Sequence, residues 1–158
     1  MIEIALYQPE IAPNAAAILR TCACLGLRAG LIEPTGFNMS DSRVRRAGMD
    51  YLAQVDLVRH ASWEEFLHAS AGRRLILLTT KGDTPYCDFA FNSDDILLLG
   101  RESSGVPQHV HERVDASVII PMQPGLRSLN VSVAAAMVAG EALRQTGGFT
   151  PRPPDLLG

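Results

Sequence analysis

Three segments of this 158-residue chain each consist of a short apolar run followed at once by a polar, glycine-containing cluster. They cover residues 75–82, 96–105 and 118–130. Each apolar run has the length of a buried β-strand, and each cluster is typical of the loop after such a strand. In an open α/β sheet, ligands bind beyond the carboxyl ends of the strands. The sequence therefore predicts a pocket at one edge of a sheet, lined by these three loops.

The rest of the chain alternates between predicted strands and predicted helices. The further strands cover residues 2–7, 29–33 and 52–58, and the helices cover residues 14–25, 40–47, 62–69, 107–112 and 130–145. Pro13 opens the first helix and Gly26 ends it, as proline and glycine do at the two ends of helices. Ser62 is a predicted N-cap. Such alternation predicts an α/β fold in which helices cover both faces of a mainly parallel sheet.

Length and hydropathy limit the kind of protein. A chain of this size fits one domain, which we assign to residues 1–150, and the proline-rich stretch 151–158 is a predicted mobile tail. No segment reaches the roughly 20 apolar residues that span a bilayer. The first apolar run has no basic region before it, so it is predicted to be a buried strand and not a signal peptide. We expect a cytoplasmic protein without membrane association.

Cysteine and histidine residues do not form a recognisable metal site. The cysteines are Cys22, Cys24 and Cys87, and the histidines are His60, His68, His109 and His111. A structural zinc site uses four such ligands at characteristic spacings, which this sequence lacks. We therefore expect no metal, buried free thiols, and histidines at the surface or in loops.

The basic residues are almost all arginine. Lysine and arginine together number 14, and Lys81 is the only lysine. Arg43, Arg45 and Arg46 crowd into one short segment, and arginine suits bidentate contacts with phosphate. The net charge of −3 argues mildly against a nucleic-acid partner. Charge alone leaves two interpretations open, a phosphate-binding segment or a solvated helix face.

The turn at residues 100–105 lacks three common ligand-binding signatures. A P-loop requires lysine directly after its second glycine, where Val106 stands. A nucleophile elbow requires glycine two residues on either side of its serine, which neither Ser103 nor Ser104 has. The dinucleotide fingerprint is also absent. What remains is a polar turn after a buried strand, able to present backbone N–H groups and the carboxylate of Glu102, or simply an ordinary turn.

The last predicted helix has unusually small side chains over two turns. They are Ala134, Ala135, Ala136, Ala139 and Gly140. A helix with so little bulk requires a close neighbour to bury it. Packing on its own sheet and a two-fold contact with a second subunit are both open.

Taken together, the motifs resemble the SPOUT superfamily of S-adenosylmethionine-dependent RNA methyltransferases, and most closely its small tRNA wobble-nucleotide 2′-O-methyltransferases. The motifs lie in residues 7–14 with Arg20 and Gly26, in residues 36–51, 79–82 and 100–107, and in residues 120–122 and 127–130. The Arg45-Arg46-Ala47-Gly48 block is the part most specific to the wobble subgroup. The resemblance covers nearly the whole chain.

The resemblance implies a C-terminal trefoil knot and a cofactor site in the knotted loops. True knots are otherwise nearly absent from proteins, so pattern reasoning alone would not propose one. The positions that match the S-adenosylmethionine site are Leu78, Thr79, Leu99, Gly100, Glu102, Ile120, Met122, Ser128 and Leu129. Members of the family act as homodimers whose first and last helices meet across the interface, which favours the dimer interpretation of the last helix.

The resemblance also implies roles in the transfer of methyl to a ribose 2′-hydroxyl. The expected catalytic residues are Arg20, Asn14, Glu102, Ser128 and Asn130, and the expected contacts with anticodon-loop RNA are Arg43, Arg45, Arg46, Lys81, Arg101 and Arg127. Because a guanidinium is nearly always protonated, we favour oxyanion stabilisation over base catalysis for Arg20; it could also be a structural interface residue. Asn14 and Asn130 could orient substrate or cap helices. Glu102 could hold Arg20, hold a ribose hydroxyl or close its own turn.

Some positions depart from the pattern of the wobble subgroup. Gly140 and Val133 stand where several relatives have tyrosine and asparagine, and Ser104 stands where relatives often place their loop arginine, which leaves the nucleotide preference open.

Three rival functions remain: a 2′-O-methyltransferase acting at another tRNA or rRNA position, a non-catalytic knotted RNA-binding dimer, and a small-molecule α/β enzyme. Joint presence of Arg20, Glu102, Ser128 and Asn130 argues against the second. The lack of P-loop, dinucleotide and nucleophile-elbow signatures argues against the third.

Overall fold

The computed structural model describes residues 1–38, 51 and 53–151. Within them the strands are Glu3–Tyr7 (β1), Arg28–Ile32 (β2), Asp56–His60 (β3), Leu75–Leu78 (β4), Thr84–Pro85 (β5), Ile96–Leu99 (β6) and Ala116–Ile119 (β7). The helices are Ala12–Leu25 (α1), Trp63–Ala69 (α2), Gln108–His111 (α3) and Val131–Thr146 (α4). The predicted alternation of strands and helices is confirmed. The helix predicted at residues 40–47 and the tail beyond residue 151 lie outside the described residues.

The described strands form one parallel sheet. Their order is β3-β2-β1-β6-β4-β7-β5, and each pairing is parallel. Leu78 of β4 lies in register between Leu99 of β6 and Val118 of β7. The carboxyl ends of these three strands are therefore neighbours, and the loops that follow them start from the same edge of the sheet.

Helices cover both faces of the sheet. Ile4 and Leu6 of β1 pack into a core shared with α1 and α4, whereas Ala5 and Tyr7 pack into a second core with α2 and α3. Every residue of β1 is buried. Burial from both sides explains why the central strands are apolar at consecutive positions and not only at alternate ones. The predicted α/β fold with helices on both faces is confirmed.

Local sequence signals set the helix ends. Gly26 adopts a left-handed conformation with φ 67° at the end of α1, and Gly147 does so with φ 64° at the end of α4. The Ser62 hydroxyl accepts a hydrogen bond of 3.2 Å from the Glu65 N–H at the start of α2. The predicted caps at Gly26 and Ser62 are confirmed. In the part of the chain that the structure describes, no helix is long and apolar enough to cross a membrane.

Two strands at the edges of the sheet differ from the prediction. β3 is Asp56–His60 and not residues 52–58, because an edge strand keeps polar side chains in solvent and its apolar pattern is weak. β5 was not predicted. It has two residues, and one of them is Pro85, which a strand tolerates at the edge of a sheet.

For three side chains, the structure reverses the predicted exposure to solvent. Cys24 and Cys87 are exposed, whereas Cys22 is buried as expected. Burial raises the pKa of the Cys22 thiol to about 12. His60 is buried and not on the surface, because it ends β3 beneath α2, with its ring centroid 5.2 Å from that of Phe66.

Candidate functional site

The loops after β4, β6 and β7 line a single cleft of about 920 Å³. The predicted convergence of the three loops is therefore confirmed. All positions that match the cofactor site of the resembled family line this cleft, namely Leu78, Thr79, Leu99, Gly100, Glu102, Ile120, Met122, Ser128 and Leu129. Side chains from α1 and α4, including Asn14 and Asn130 at their starts, complete the wall.

Two glycines allow the loops of the cleft to pack closely. A Cβ on Gly100 would lie 2.5 Å from the backbone carbon of Gly105, where Arg101 and Gly105 exchange backbone hydrogen bonds of 3.0 and 2.9 Å. A Cβ on Gly82 would lie 2.5 Å from the backbone carbon of Val118. Real Cβ contacts are not this short. The glycines therefore fix how near the turn after β6 folds on itself and how near the loop after β4 passes to β7.

Glu102 caps the start of α1. Its carboxylate accepts hydrogen bonds from the N–H groups of Glu10 at 2.9 Å and Ile11 at 3.3 Å. It also accepts one of 3.2 Å from the Asn14 side-chain amide. Ile11 is the N-cap residue of α1 and Glu10 precedes it. A carboxylate at the start of a helix is stabilised by the helix dipole. The sequence analysis did not predict that Glu102 holds the start of α1.

Asn14 and Asn130 are linked to each other directly. The Asn130 amide donates a hydrogen bond of 3.0 Å to the Asn14 side-chain oxygen. The Asn130 oxygen accepts hydrogen bonds from the Ser132 N–H at 2.9 Å and hydroxyl at 2.6 Å, so Asn130 is also the N-cap of α4. Side-chain hydrogen bonds thus connect four residues in order, Glu102, Asn14, Asn130 and Ser132, and we call this set the cleft relay. It joins the turn after β6 to both helices.

A second carboxylate, Glu10, ties the same two segments from the other side. Its oxygens accept hydrogen bonds of 2.9 Å from the Ser103 N–H and from the Ser103 hydroxyl. These bonds, first that from the backbone, together with the charge of Arg101, hold the pKa of Glu10 below its ordinary value. Sequence analysis missed the roles of Glu10 and Ser103, since no local spacing connects residues so far apart in the chain.

Arg20 does not line the cleft of its own chain. It is exposed on α1, and its guanidinium carbon lies 4.6 Å from the centroid of the Tyr51 ring. Arg20 follows Asn14 by six positions, which is about 9 Å along a helix axis and on another side of the helix. The structure therefore brings Asn14, Glu102, Ser128 and Asn130 to one cleft and leaves Arg20 outside it.

The predicted RNA-binding residues fall into three groups. Lys81 and Arg127 are exposed and line the cleft. Arg101 is half-buried; it donates a hydrogen bond to the Gln8 side-chain oxygen and lies 5.7 Å from the Tyr7 ring centroid. The third group, Arg43, Arg45 and Arg46, lies outside the described residues.

The lining of the cleft suits an organic ligand that has both apolar and polar parts. Small-molecule pockets measure roughly 300–1,000 Å³ and combine apolar walls with a few placed polar groups. The apolar side chains here include Leu78, Leu99 and Ile120, and the turn at residues 100–105 supplies backbone groups and a carboxylate. Among the described residues, no group of three or more His, Cys, Asp or Glu is arranged to hold a metal ion.

Comparison with known proteins gives one family. Residues 1–140 match the model of the SpoU rRNA Methylase family. A relative from Beijerinckia indica, named tRNA (cytidine(34)-2′-O)-methyltransferase, is 60% identical over 148 residues, which are 92% of this chain and 92% of that protein.

Solved structures agree with the sequence comparison. A structure described as giving insights into the 2-OH methylation of C/U34 on tRNA is 42% identical, with a TM-score of 0.88 over 92% of this chain and 95% of that one. The SpoU methyltransferase AviRb from Streptomyces viridochromogenes, in complex with the cofactor AdoMet, is 28% identical. Its TM-score is 0.81 over 90% of this chain and 59% of that one.

Proposed function

The chain belongs to the SpoU rRNA Methylase family, and we propose that it transfers a methyl group from S-adenosylmethionine to the ribose 2′-hydroxyl of the wobble nucleotide, cytidine or modified uridine, in a tRNA anticodon loop. The observation that carries the proposal is the single cleft into which the three carboxyl-side loops converge. The substrate follows the names of the relatives, which act at C34 or C/U34 of tRNA.

The residues of the cleft fit S-adenosylmethionine. The cleft volume of about 920 Å³ accommodates a ligand of this size. Leu78, Leu99 and Ile120 supply apolar surface for the adenine ring, while the backbone of residues 100–105 and Ser128 supplies polar groups. When bound, the cofactor supplies an electrophilic methyl group on a sulfonium. Thr79, Gly100, Glu102, Met122 and Leu129 are assigned to the same site.

Arg20 is assigned to the reacting hydroxyl of the nucleotide. Methyl transfer needs the 2′-oxygen to be aligned with the methyl carbon, its proton to be released to solvent, and the negative charge that develops on it to be stabilised. A guanidinium stays protonated at neutral pH, so it stabilises that charge and holds an adjacent phosphate. The cleft relay of Asn14, Glu102, Asn130 and Ser132 then acts as the frame that keeps α1 in place beside the cofactor loops.

A homodimer explains how Arg20 reaches a cleft. Ala17, Arg20 and Cys24 form an exposed stripe on α1, and α1 packs beside α4. On α4, Val133 and Met137 are 48% and 38% exposed, with Ala136 and Gly140 nearby. Small and apolar side chains on two adjacent helices suit a two-fold contact. In this arrangement the Arg20 of one protomer serves the cleft of the other.

Four further assignments rest on the same proposal. Lys81 and Arg127 at the cleft, with Arg101, Arg43, Arg45 and Arg46, bind anticodon-loop phosphates. The C-terminal part forms a trefoil knot, which is supported by the position of β4 between β6 and β7 and by the close passage of Gly82 past Val118. Residues 1–150 act as one domain. The protein works in the cytoplasm, where its tRNA substrate is found.

Mass spectrometry of tRNA nucleosides tests the proposal. Unmodified tRNA and, in a parallel reaction, unmodified rRNA are incubated with the cofactor, with and without the protein, and nuclease fragments locate any new methyl group. We expect a 2′-O-methyl nucleoside at position 34 only when the protein is present. A methyl group at another tRNA position, or only on rRNA, would instead support the first rival function. Cofactor binding without any transfer would support a non-catalytic RNA-binding dimer.

A further inference from the structure

Arg20 is held against an aromatic ring that the proposed mechanism does not use. Its guanidinium carbon lies 4.6 Å from the Tyr51 ring centroid, well inside the roughly 6 Å over which a cation is attracted to a ring face. Within residues 1–38, 51 and 53–151, no carboxylate forms an ion pair with Arg20. The ring is therefore the contact through which the described part of the protein restrains this side chain.

The ring itself is anchored to the folded core. The Tyr51 carbonyl accepts hydrogen bonds from the Gln54 N–H at 3.0 Å and the Val55 N–H at 3.1 Å. Val55 in turn packs against the core that lies between the sheet and the α1–α4 layer. Tyr51 is half-buried, whereas Arg20 is exposed. The ring is thus carried on a backbone held by these bonds and lies next to the long, solvent-exposed side chain of Arg20.

We propose that Tyr51 is a positioning residue for Arg20, an inference that rests on the proposed methyl transfer. The ring face restricts where the guanidinium lies and accepts no conventional hydrogen bond from it. Among the described residues, no hydrogen bond or ion pair occupies the five N–H donors of the arginine, which leaves them available for substrate oxygens. A carboxylate partner would restrain the side chain equally well but would occupy those donors. An aromatic face is the restraint that suits an arginine needed for an oxyanion and a phosphate.

Steady-state kinetics of two Tyr51 variants test this role. Tyr51→Leu removes the ring, and Tyr51→Phe keeps the ring but removes the hydroxyl. We expect Tyr51→Leu to lower kcat about tenfold, since displacement of a positioned group by about 1 Å can cost up to roughly 100-fold. The Kd for cofactor should stay unchanged, and any rise in the KM for tRNA should accompany the fall in kcat, because Arg20 is also assigned to a phosphate. Tyr51→Phe should remain within about twofold of the wild type. Phe149→Leu is the matched control, because it removes an exposed ring outside the site.

A spectroscopic measurement tests the contact without using activity. The Nε–H resonance of Arg20 should be shifted upfield by the Tyr51 ring in the wild-type protein and in Tyr51→Phe. The shift should be lost in Tyr51→Leu. If Tyr51→Leu does not fold, Tyr51→Met supplies similar bulk without a ring and takes its place in both experiments.

The possible outcomes separate this inference from the proposed function. An unchanged kcat in the ring-free variant overturns the positioning role, and so does a raised KM for tRNA at constant kcat, which would make Tyr51 a direct RNA contact. Loss of activity in Tyr51→Phe equal to that in Tyr51→Leu assigns the effect to the hydroxyl and also overturns it. A wild-type protein that binds cofactor but methylates no tRNA refutes the proposed function, while the Arg20 resonance still decides whether the ring holds the guanidinium.

Discussion

The side-chain amide of Asn130 donates a hydrogen bond of 3.0 Å to the side-chain oxygen of Asn14. This bond joins the first residues of α4 to the first turn of α1, although the two asparagines are 116 positions apart. Asn14 passes the connection on to Glu102 in the turn after β6. The helix that carries Arg20 is thereby fastened to the loops assigned to the cofactor.

Substitutions at Asn130 should separate its two roles. Asn130→Ala removes the N-cap of α4 and should cost about 1 kcal/mol of unfolding free energy, together with a loss of methyl transfer. Asn130→Ser keeps a capping hydroxyl but is too short to reach Asn14, so it should restore most of the stability and leave the activity reduced. Chemical denaturation and a methylation assay measure the two effects. Equal activity of Asn130→Ser and the wild type would show that the bond to Asn14 is not needed.

Loss of Arg20 should affect chemistry and not cofactor binding. Arg20→Ala should lower kcat at least about 100-fold, the usual cost of removing one donor to an oxyanion. Calorimetry should give an unchanged Kd for S-adenosylmethionine, because Arg20 is assigned to the ribose hydroxyl of the nucleotide and not to the cofactor. Arg28→Ala serves as the control, since it removes an exposed arginine whose ion pair with Asp56 contributes little. Full activity of Arg20→Ala would remove this residue from the mechanism.

The close packing of the turn after β6 predicts an effect of adding one methyl group. Gly100→Ala places a Cβ 2.5 Å from the Gly105 backbone, and relief of such a clash costs about 1–3 kcal/mol. We expect lower stability and weaker cofactor binding. Gly72→Ala meets nothing within 4 Å and carries only the cost of its φ of 84°, about 1 kcal/mol. It should keep wild-type cofactor affinity; weakening in both variants alike would contradict a local effect at the cleft.

The proposed dimer face can be tested with one charge. Light scattering of the wild type should give a mass close to twice 17.1 kDa. Met137→Glu places an unpaired charge on the outer side of α4 and should give monomers without methyl transfer. Val58→Glu is a matched control, because Val58 is also 38% exposed but lies on β3 at the far edge of the sheet. A Met137→Glu protein that stays dimeric would exclude this face.

The hydrogen bonds of Glu10 predict a pH dependence of stability. Because they lower the pKa of Glu10 in the folded protein below its ordinary value of 4.5, they stabilise the fold above that pH. The stabilisation is lost as the pH falls below 4.5 and the carboxyl group becomes protonated. Glu10→Gln should therefore be less stable than the wild type at neutral pH, and the difference should shrink in acid. Urea denaturation across this range measures it; a constant difference would contradict the assignment to ionised Glu10.

The convergence of the three loops could be predicted because its signals are local. An apolar run of strand length followed by a polar cluster is visible within about ten residues, and parallel strands place such clusters at one edge. The same holds for the caps at Ser62 and Gly26. The predicted bounds of edge strand β3 were shifted, because most of its side chains are exposed and form no clear apolar pattern.

The polar contacts of the site could not be predicted in the same way. Glu102 binds the Glu10 N–H and Asn14, which are 92 and 88 positions away in the chain. No periodicity or spacing rule connects a carboxylate with a helix start at such a distance. The ring beside Arg20 belongs to Tyr51, which also lies well beyond any helical or strand spacing from it. Contacts of this kind depend on the order of strands in the sheet, which the sequence pattern leaves open.

Helix α1 offers one end to its own cleft through Asn14, while Arg20 points elsewhere from its middle. In the proposed homodimer, each α1 helix would thus contribute to two catalytic centres, with Asn14 in the cleft of its own chain and Arg20 in the cleft of the partner. Mixed dimers should then show complementation: a subunit lacking Arg20, paired with a subunit whose cofactor loops are damaged, leaves one centre with all of its parts. Because Asn14 and Arg20 belong to one continuous helix, a movement of α1 would displace residues of both centres.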